Sequence, residues 1–360
     1  MDFLTPKQCM FLGKIAENLE KRGHEVFKTA RRYREVLQIL ELRKLDAKII
    51  GEHGGKDLAN KLRASAQRIM ELTPIFKEVK PDVAVSFSSP EMARVAFGLK
   101  TPHICINDSP HAEAVAKLTL PLSEKLLTPW LVPKKVWVRF GIPSSKIVQY
   151  RALDPWVWLK EFKPNGKVLS DLGLDRSKPI ITFRTEETFA AYLLGNVHGE
   201  TVVIPTIERL LSAKRNVQIV IVPRYDEQIK ALEDAFKGKV IVCNSIVDGP
   251  SLLSYTSIFV GAGGTMTAEA ALLGVPTFSC YPGEPFLIEK YLAKKGLVKR
   301  ETDPQQLTRM ILRTLDRLDQ ERKKQFLKVQ EMIKKFEDPI DVITREVEST
   351  CKKLTDSVKP

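Results

Sequence analysis

Gly261, Gly263 and Gly264, with Ala262 among them, follow the apolar run 257–260 and stand just before Thr265, which opens a helical stretch closed by Gly274, Val275 and Pro276. The order is that of a buried strand, a turn whose glycines let backbone approach a ligand closely, and a helix whose free N–H groups and dipole favour a phosphate. Glu269 falls about one turn into that helix, where its carboxylate can accept hydrogen bonds from ribose hydroxyls, and Gly274 suits a left-handed cap. Glycines at such a turn also serve tight packing alone. The ordered set of strand, turn, Glu269 and the Gly274, Val275, Pro276 stop favours binding.

Two arginines end apolar runs of the same kind. Arg184 follows 180–183 and Arg224 follows 217–223, so both fall at carboxyl ends of strands, where open α/β sheets bind ligands. A guanidinium suits bidentate contact with a diphosphate, and for each arginine singly a surface ion pair is an equal reading. Earlier in the chain, Asp108, His111 and Glu113 follow the run 103–107, and Pro110 suits a first helical turn. A histidine and two carboxylates gathered there could move protons on a sugar ring; alternatively Asp108 or Ser109 caps the helix and Glu113 complements its dipole. Ser86, Ser88, Ser89 and Glu91 end the preceding strand and could hydrogen-bond a sugar, although Ser89 before Pro90 is also an ordinary helix start. Lys56, after His53, Gly54 and Gly55, is an anion contact or part of a plain turn. His24 and His103 read as structural, and His198 sits in a polar loop that could reach a ligand.

The elements that must position these residues alternate between strand-like and amphipathic helical patterns, the signature of βαβ units and parallel sheets covered on both faces. Strands are expected at 24–28, 47–50, 82–87, 103–107, 125–128 and 147–149, with helices near 6–22, 31–44, 56–79, 90–99, 110–121 and 133–140. Only Met1 to Leu4 precede the loop of Thr5, Pro6 and Lys7, so the first strand is very short or the start codon has been assigned too late. Residues 154–165, punctuated by Pro155 and Pro164, break the alternation as a linker. A second series follows, with strands at 180–183, 217–222, 240–243, 258–260 and 277–280. The domains are therefore 1–160 and 161–335, with 336–360 a helix returning to the first, out of a Lys- and Glu-rich helical stretch from 320 to 354. Trp130, Trp137, Trp156 and Trp158, beside Lys134, Lys135 and Arg139, are expected to pack between the domains rather than against a membrane or nucleic acid.

A chain of 360 residues with 43% hydrophobic and 28% charged residues has the length of two globular domains. It holds no run of about 18 apolar residues and no signal-peptide layout, so a cytoplasmic location is expected. Cys9, Cys105, Cys243, Cys280 and Cys351 are too scattered for a zinc site and read as reduced apolar residues. Of the net charge of +13, ten lie within residues 1–165, which carry 28 Lys and Arg against 18 Asp and Glu. That asymmetry fits an anionic partner, and equally a solvated basic surface.

Family likenesses attach to these residues. The stretch 19–26, Leu-Glu-Lys-Arg-Gly-His-Glu-Val, resembles the opening of many GT-B glycosyltransferases. Residues 263–276 resemble the nucleotide-sugar motif of the lipid-linked N-acetylglucosaminyltransferase of cell-wall synthesis. His111 to Ala114 resembles the His-x-Glu-Ala motif of non-hydrolysing UDP-N-acetylglucosamine 2-epimerases. Nearly the whole chain resembles the uncharacterised GT-B-like family called domain of unknown function 354. The resemblance implies two Rossmann-like α/β domains facing across a cleft, with C-terminal helices packing back on the first. It implies a UDP-sugar, N-acetylated, with Glu269 on the ribose, the turn of Gly261, Gly263, Gly264 and Thr265 on the diphosphate, and Arg184 at a basic position after the first strand of the second domain; Arg224, Lys7, Ser88 and Glu284 are the further substrate-binding residues expected from the chain itself. Epimerase-type proton transfer would fall to Asp108, His111 and Glu113. Ser86, Phe87 and Ser88 stand where those epimerases carry Gly-Asp-Thr, and Lys117 where they carry arginine. A glycosyltransferase using the same donor, or a non-catalytic sugar-nucleotide-binding protein, is the alternative. No metal and no cofactor are expected; an anionic acceptor or a peripheral membrane surface suits the basic first half, nucleic acid is not expected, and oligomeric state is left open.

Overall fold

A computed structural model describes residues 1–55, 57–185, 201–224 and 226–357. Lys56 and His198 lie outside the described residues. The chain forms two compact units, Met1–Trp158 with Phe336–Pro360, and Leu159–Lys335.

Among the described residues the first unit is built on seven parallel strands: β1 Asp2–Phe3, β2 Thr29–Arg32, β3 Lys48–Glu52, β4 Ala84–Ser86, β5 His103–Ile106, β6 Lys125–Pro129 and β7 Ile147–Tyr150, in the order β3-β2-β1-β4-β5-β6-β7. The strand order reverses between β1 and β4, and at such a switch point the crevice beyond the carboxyl ends takes ligands. β1 is only two residues long, yet it pairs with both β2 and β4. Asp2 makes so short a strand tenable, because Arg68 Nη1 donates to Asp2 Oδ2 at 2.9 Å and Thr29 Oγ1 to Oδ1 at 2.8 Å inside the fold.

Among its described residues the second unit carries six parallel strands: β8 Ile180–Arg184, β9 Gln218–Val222, β10 Ile241–Val242, β11 Ile258–Gly261, β12 Thr277–Ser279 and β13 Val298–Arg300, in the order β10-β9-β8-β11-β12-β13. Its switch point lies between β8 and β11, and in register there Gly261 stands opposite Arg184. Ile181, Phe183, Ile221, Val260 and Phe278 bury one face of the sheet under the helices Val203–Ser212 and Pro304–Leu315.

Several expectations are corrected. The second strand is not 24–28 but β2, because Gly23 (φ +89°) turns the chain and the buried Thr29 and Ala30 supply the inward residues. The helix expected from 110 begins at Glu113 with Ala112 in the capping position and no side-chain cap, so Pro110 is outside it and neither Asp108 nor Ser109 caps it. The helical stretch from 320 to 354 is divided. Helix Leu318–Ile333 stays with the second unit, where Gln325 donates to the Leu297 carbonyl, whereas Pro339–Ser357 joins the first through Arg22 to Glu348 (2.7 Å) and Lys125 to Glu346 (2.7 Å). The four tryptophans lie in the first unit, where Trp130 and Trp156 meet the Phe336 ring edge-on and Trp137 is buried with its indole N–H on Thr128 Oγ1.

Candidate functional site

In the second unit the turn after β11 is built for glycine. A Cβ on Gly261 would stand 2.6 Å from the Phe259 ring and 2.7 Å from Thr267 Oγ1, so packing excludes one. Gly263 (φ +80°) and Gly264 (φ +91°, ψ −170°) hold backbone conformations that a side chain would strain, the latter one that glycine alone occupies readily. Helix Thr265–Leu272 starts at once after Gly264, which has no side chain to cap it, and among the described residues no side-chain cap of its first N–H groups is present. Those donors, partly positive and aimed along the helix axis, form an anion-receptive end. Thr265 is half-buried at its mouth. Thr267, one residue past Met266, is buried, and its hydroxyl has no hydrogen-bond partner among the described residues.

Arg224 follows β9 and lies along this turn. Its Nε donates to the Thr185 carbonyl at 2.8 Å and Nη2 to the Gly263 carbonyl at 3.3 Å, while its own N–H donates to Gln228 Oε1 at 2.7 Å. Nη2 would be 3.6 Å from a Cβ on Gly264, so the guanidinium sits where an anion on the helix end would meet it. Arg184 instead braces strand ends, Nη1 donating to the carbonyls of Val222 (3.3 Å) and Pro223 (2.5 Å). Glu269 is buried, with its Oε2 3.9 Å from where a Cβ on Gly249 would stand. Glu284 is exposed and pairs with Lys290 at 2.5 Å, whose hydrogen bond lowers its carboxyl below the usual range. Glu289, absent from the sequence reading, is buried beside Gly263 and accepts from Ser279 Oγ at 2.6 Å.

The carboxyl edge of the first sheet carries a buried charge cluster. Lys7, in the first turn of helix Pro6–Lys21, places Nζ 2.5 Å from Asp108 Oδ2 and 2.7 Å from Asp154 Oδ2, 4.5 Å over the Phe87 ring. Tyr150, the last residue of β7, donates to Asp154 Oδ1 at 2.6 Å, and Ser109 Oγ donates to Asp108 Oδ1 at 2.8 Å. Burial raises both carboxyls. At Asp108 the charge and hydrogen bonds of Lys7 outweigh it and the group lies below the usual carboxylate range; at Asp154 burial and the neighbouring Asp108 prevail and push it up to about 7. Burial would lower the Lys7 ammonium, but the two carboxylates raise it. The arrangement can hold a proton on Asp154 near neutrality while Lys7 stays charged.

Glu113 is not drawn into that cluster: it is half-exposed and meets Arg139 at 3.1 Å and Lys117 at 3.5 Å. His111 is exposed. Ser88 (φ +57°) spends its hydroxyl on the Ile106 carbonyl. Ser89 caps helix Pro90–Gly98, Ser86 bonds the buried His103 (held down to about 3 by burial), and Glu91 accepts from Ser65, all inside the fold. Asp154 was hidden in the sequence because it opens the stretch that reads as a linker, and Tyr150 because it falls just past the strand expected at 147–149; the available signal was a carboxylate shortly after the carboxyl end of a strand, as for Asp108.

The sequence pattern of the family described as "Protein of unknown function (DUF354)" matches residues 2–352. An uncharacterized protein of Methanocaldococcus jannaschii is 31% identical over 308 residues, 84% of this chain and 87% of that protein. Among solved structures, UDP-GlcNAc 2-epimerase from Neisseria meningitidis bound to UDP-GlcNAc has a TM-score of 0.70 at 17% identity, with 98% of each chain covered. Spinosyn rhamnosyltransferase complexed with spinosyn aglycone has a TM-score of 0.60 at 15% identity, covering 96% of this chain and 99% of that one. At these identities the likeness is one of fold: two parallel-sheet, Rossmann-like α/β units of the GT-B type.

Proposed function

The chain belongs to the DUF354 family, and from that premise we propose that it is an enzyme acting on a sugar nucleotide, a UDP-N-acetylhexosamine, by 2-epimerase-like proton transfer. The observation that carries the reading is the uncapped helix end after Gly264, flanked by Arg224 and lying at the switch point of the second sheet. A diphosphate there would take the free N–H groups of Thr265, Met266 and Thr267, with the guanidinium of Arg224 on its flank. Buried Glu269 is assigned to the ribose, and Gly261, Gly263, Arg184, Ser88, Glu284 and Lys7 to the remaining contacts or their support.

Proton handling is assigned to Asp108, His111 and Glu113, with Asp154 holding the exchangeable proton next to Lys7. In an epimerase reaction the proton on C2 of the sugar leaves to a base as the nucleotide departs from C1. The nucleotide then returns to C1 as a proton is delivered to the opposite face of C2, so the balance closes without a co-reactant. The neighbours support the class of ligand, since the Neisseria protein is bound to UDP-GlcNAc.

Glu113, engaged at the surface by Arg139 and Lys117 rather than by the Lys7 cluster, favours a second reading. In it the chain is a glycosyltransferase that uses the same donor contacts, and the basic first unit holds an anionic acceptor. Incubation with UDP-N-acetylglucosamine decides between them. Conversion to the 2-epimer without acceptor supports the first reading, and acceptor-dependent release of UDP supports the second. Thermal stabilisation by the nucleotide sugar with neither product leaves a binding protein. Absence of stabilisation by any UDP-sugar would end the proposal.

A further inference from the structure

Helix Leu58–Val79 of the first unit presents an unpartnered apolar ridge. Its inner face buries Arg68, Leu72 and Phe76. In its leading turns Leu58 (80% exposed) and Leu62 (72%) stand one turn apart, and Ala66 and Met70 (62%) continue the spacing, each turned about 40° further round the helix. Residues four apart are neighbours on a helix surface, so Leu58 and Leu62 form a short apolar ridge about 6 Å long. All of 58–63 is exposed, including Lys61 and Arg63. Two leucines fall far short of the roughly 800 Å² per partner that a stable protein interface buries.

The chain leading into it is mainly basic. Residues 28–63 hold ten Lys and Arg against five Asp and Glu. At the start of the helix, His53 has its imidazole held below the usual value by burial and then by the positive charges of Arg31 and Lys61. Asp57 caps the helix by accepting from the Asn60 N–H, and Glu71 accepts from Gln67. A narrow leucine ridge flanked by cations matches the boundary of an anionic bilayer, where apolar side chains enter the headgroup region and Lys and Arg meet lipid phosphates. No helix among the described residues is long and apolar enough to cross a membrane.

We infer that the leading turns of helix Leu58–Val79 are a peripheral membrane-binding surface, with Leu58 and Leu62 inserting and Lys61 and Arg63 contacting anionic headgroups. The ridge begins beside the loop after β3, where a Cβ on Gly54 would meet the Asn60 carbonyl at 2.9 Å, so a bound lipid surface would lie at the carboxyl edge of the first sheet. The inference stands independently of the sugar-nucleotide reading.

The test is co-sedimentation of the full chain with vesicles of phosphatidylcholine alone and with one-third phosphatidylglycerol. Binding is expected on the anionic vesicles only, weakening with salt. Leu58→Gln with Leu62→Gln should weaken it at least about tenfold, and Lys61→Gln with Arg63→Gln roughly fivefold per charge removed. Because all four side chains are exposed, thermal unfolding and UDP-sugar stabilisation should be unchanged in both variants. Equal vesicle binding by wild type and the double leucine variant, or none by wild type, overturns the inference. So does light scattering that shows a dimer lost in the leucine variant, which would assign the ridge to a second copy.

Discussion

Lys7 Nζ stands 2.7 Å from Asp154 Oδ2 while also holding Asp108 Oδ2 at 2.5 Å, so one ammonium serves two buried carboxylates. A single cation cannot compensate both, and the protein resolves the deficit by keeping Asp108 ionised and lifting Asp154 to about 7. Tyr150, whose hydroxyl proton is directed at Asp154, is itself raised well above its ordinary value by burial and by that carboxylate.

A carboxyl raised on folding contributes stability that is complete below its unfolded value of 3.8 and is lost as pH climbs to about 7. Asp154→Asn removes that loss. Relative to wild type, the variant should therefore gain about 1 kcal/mol for each pH unit between pH 4 and 7, and no more above pH 8. Urea unfolding of both proteins across this range measures it; parallel curves would show that Asp154 ionises like an exposed aspartate.

Lys7→Met leaves Asp108 and Asp154 facing each other without a cation. Removing one partner from a buried ion pair costs about 3 to 5 kcal/mol. The penalty should shrink at pH 5, where a carboxyl can protonate, and peak at pH 8. A pH-independent penalty would point to lost packing against Phe87 instead.

Gly264→Ala places a side chain at φ +91°, ψ −170°, a strain of about 1 to 3 kcal/mol. The new methyl would also stand in van der Waals contact with the Arg224 guanidinium, at 3.6 Å, on the side where the anion is proposed to bind. Calorimetric titration with UDP should show at least a tenfold weaker affinity, along with a lower melting temperature. If affinity survives while stability falls, the turn is structural only.

Glu269→Ala should weaken UDP-sugar binding, and Glu113→Gln should leave binding intact while abolishing turnover. Titration alongside product analysis separates the two effects. The reverse pattern would exchange the assigned roles of the two glutamates.

What the sequence determined by itself is what depends on short range. The alternation of apolar strands with amphipathic helices gave both parallel sheets, because each element's periodicity reflects its own burial. The glycines at 261, 263 and 264 and the arginines ending β8 and β9 were legible for the same reason, since a strand's last residue is fixed by where its apolar run stops. Only the tertiary structure decided which distant groups share a charge. Lys7 meets Asp108 and Asp154 across 101 and 147 positions of chain, and Arg68 meets Asp2 across 66. Glu289 reaches Gly263 because β11 and β12 are neighbours, a pairing that no local pattern records. Pro110 misled for a related reason: its fixed φ is compatible with a helix start, but Asp108 is held by the lysine of another element and the helix waits until Glu113. Local propensity sets what a segment can be, and compensation of buried charge, which acts through space, sets what its side chains do.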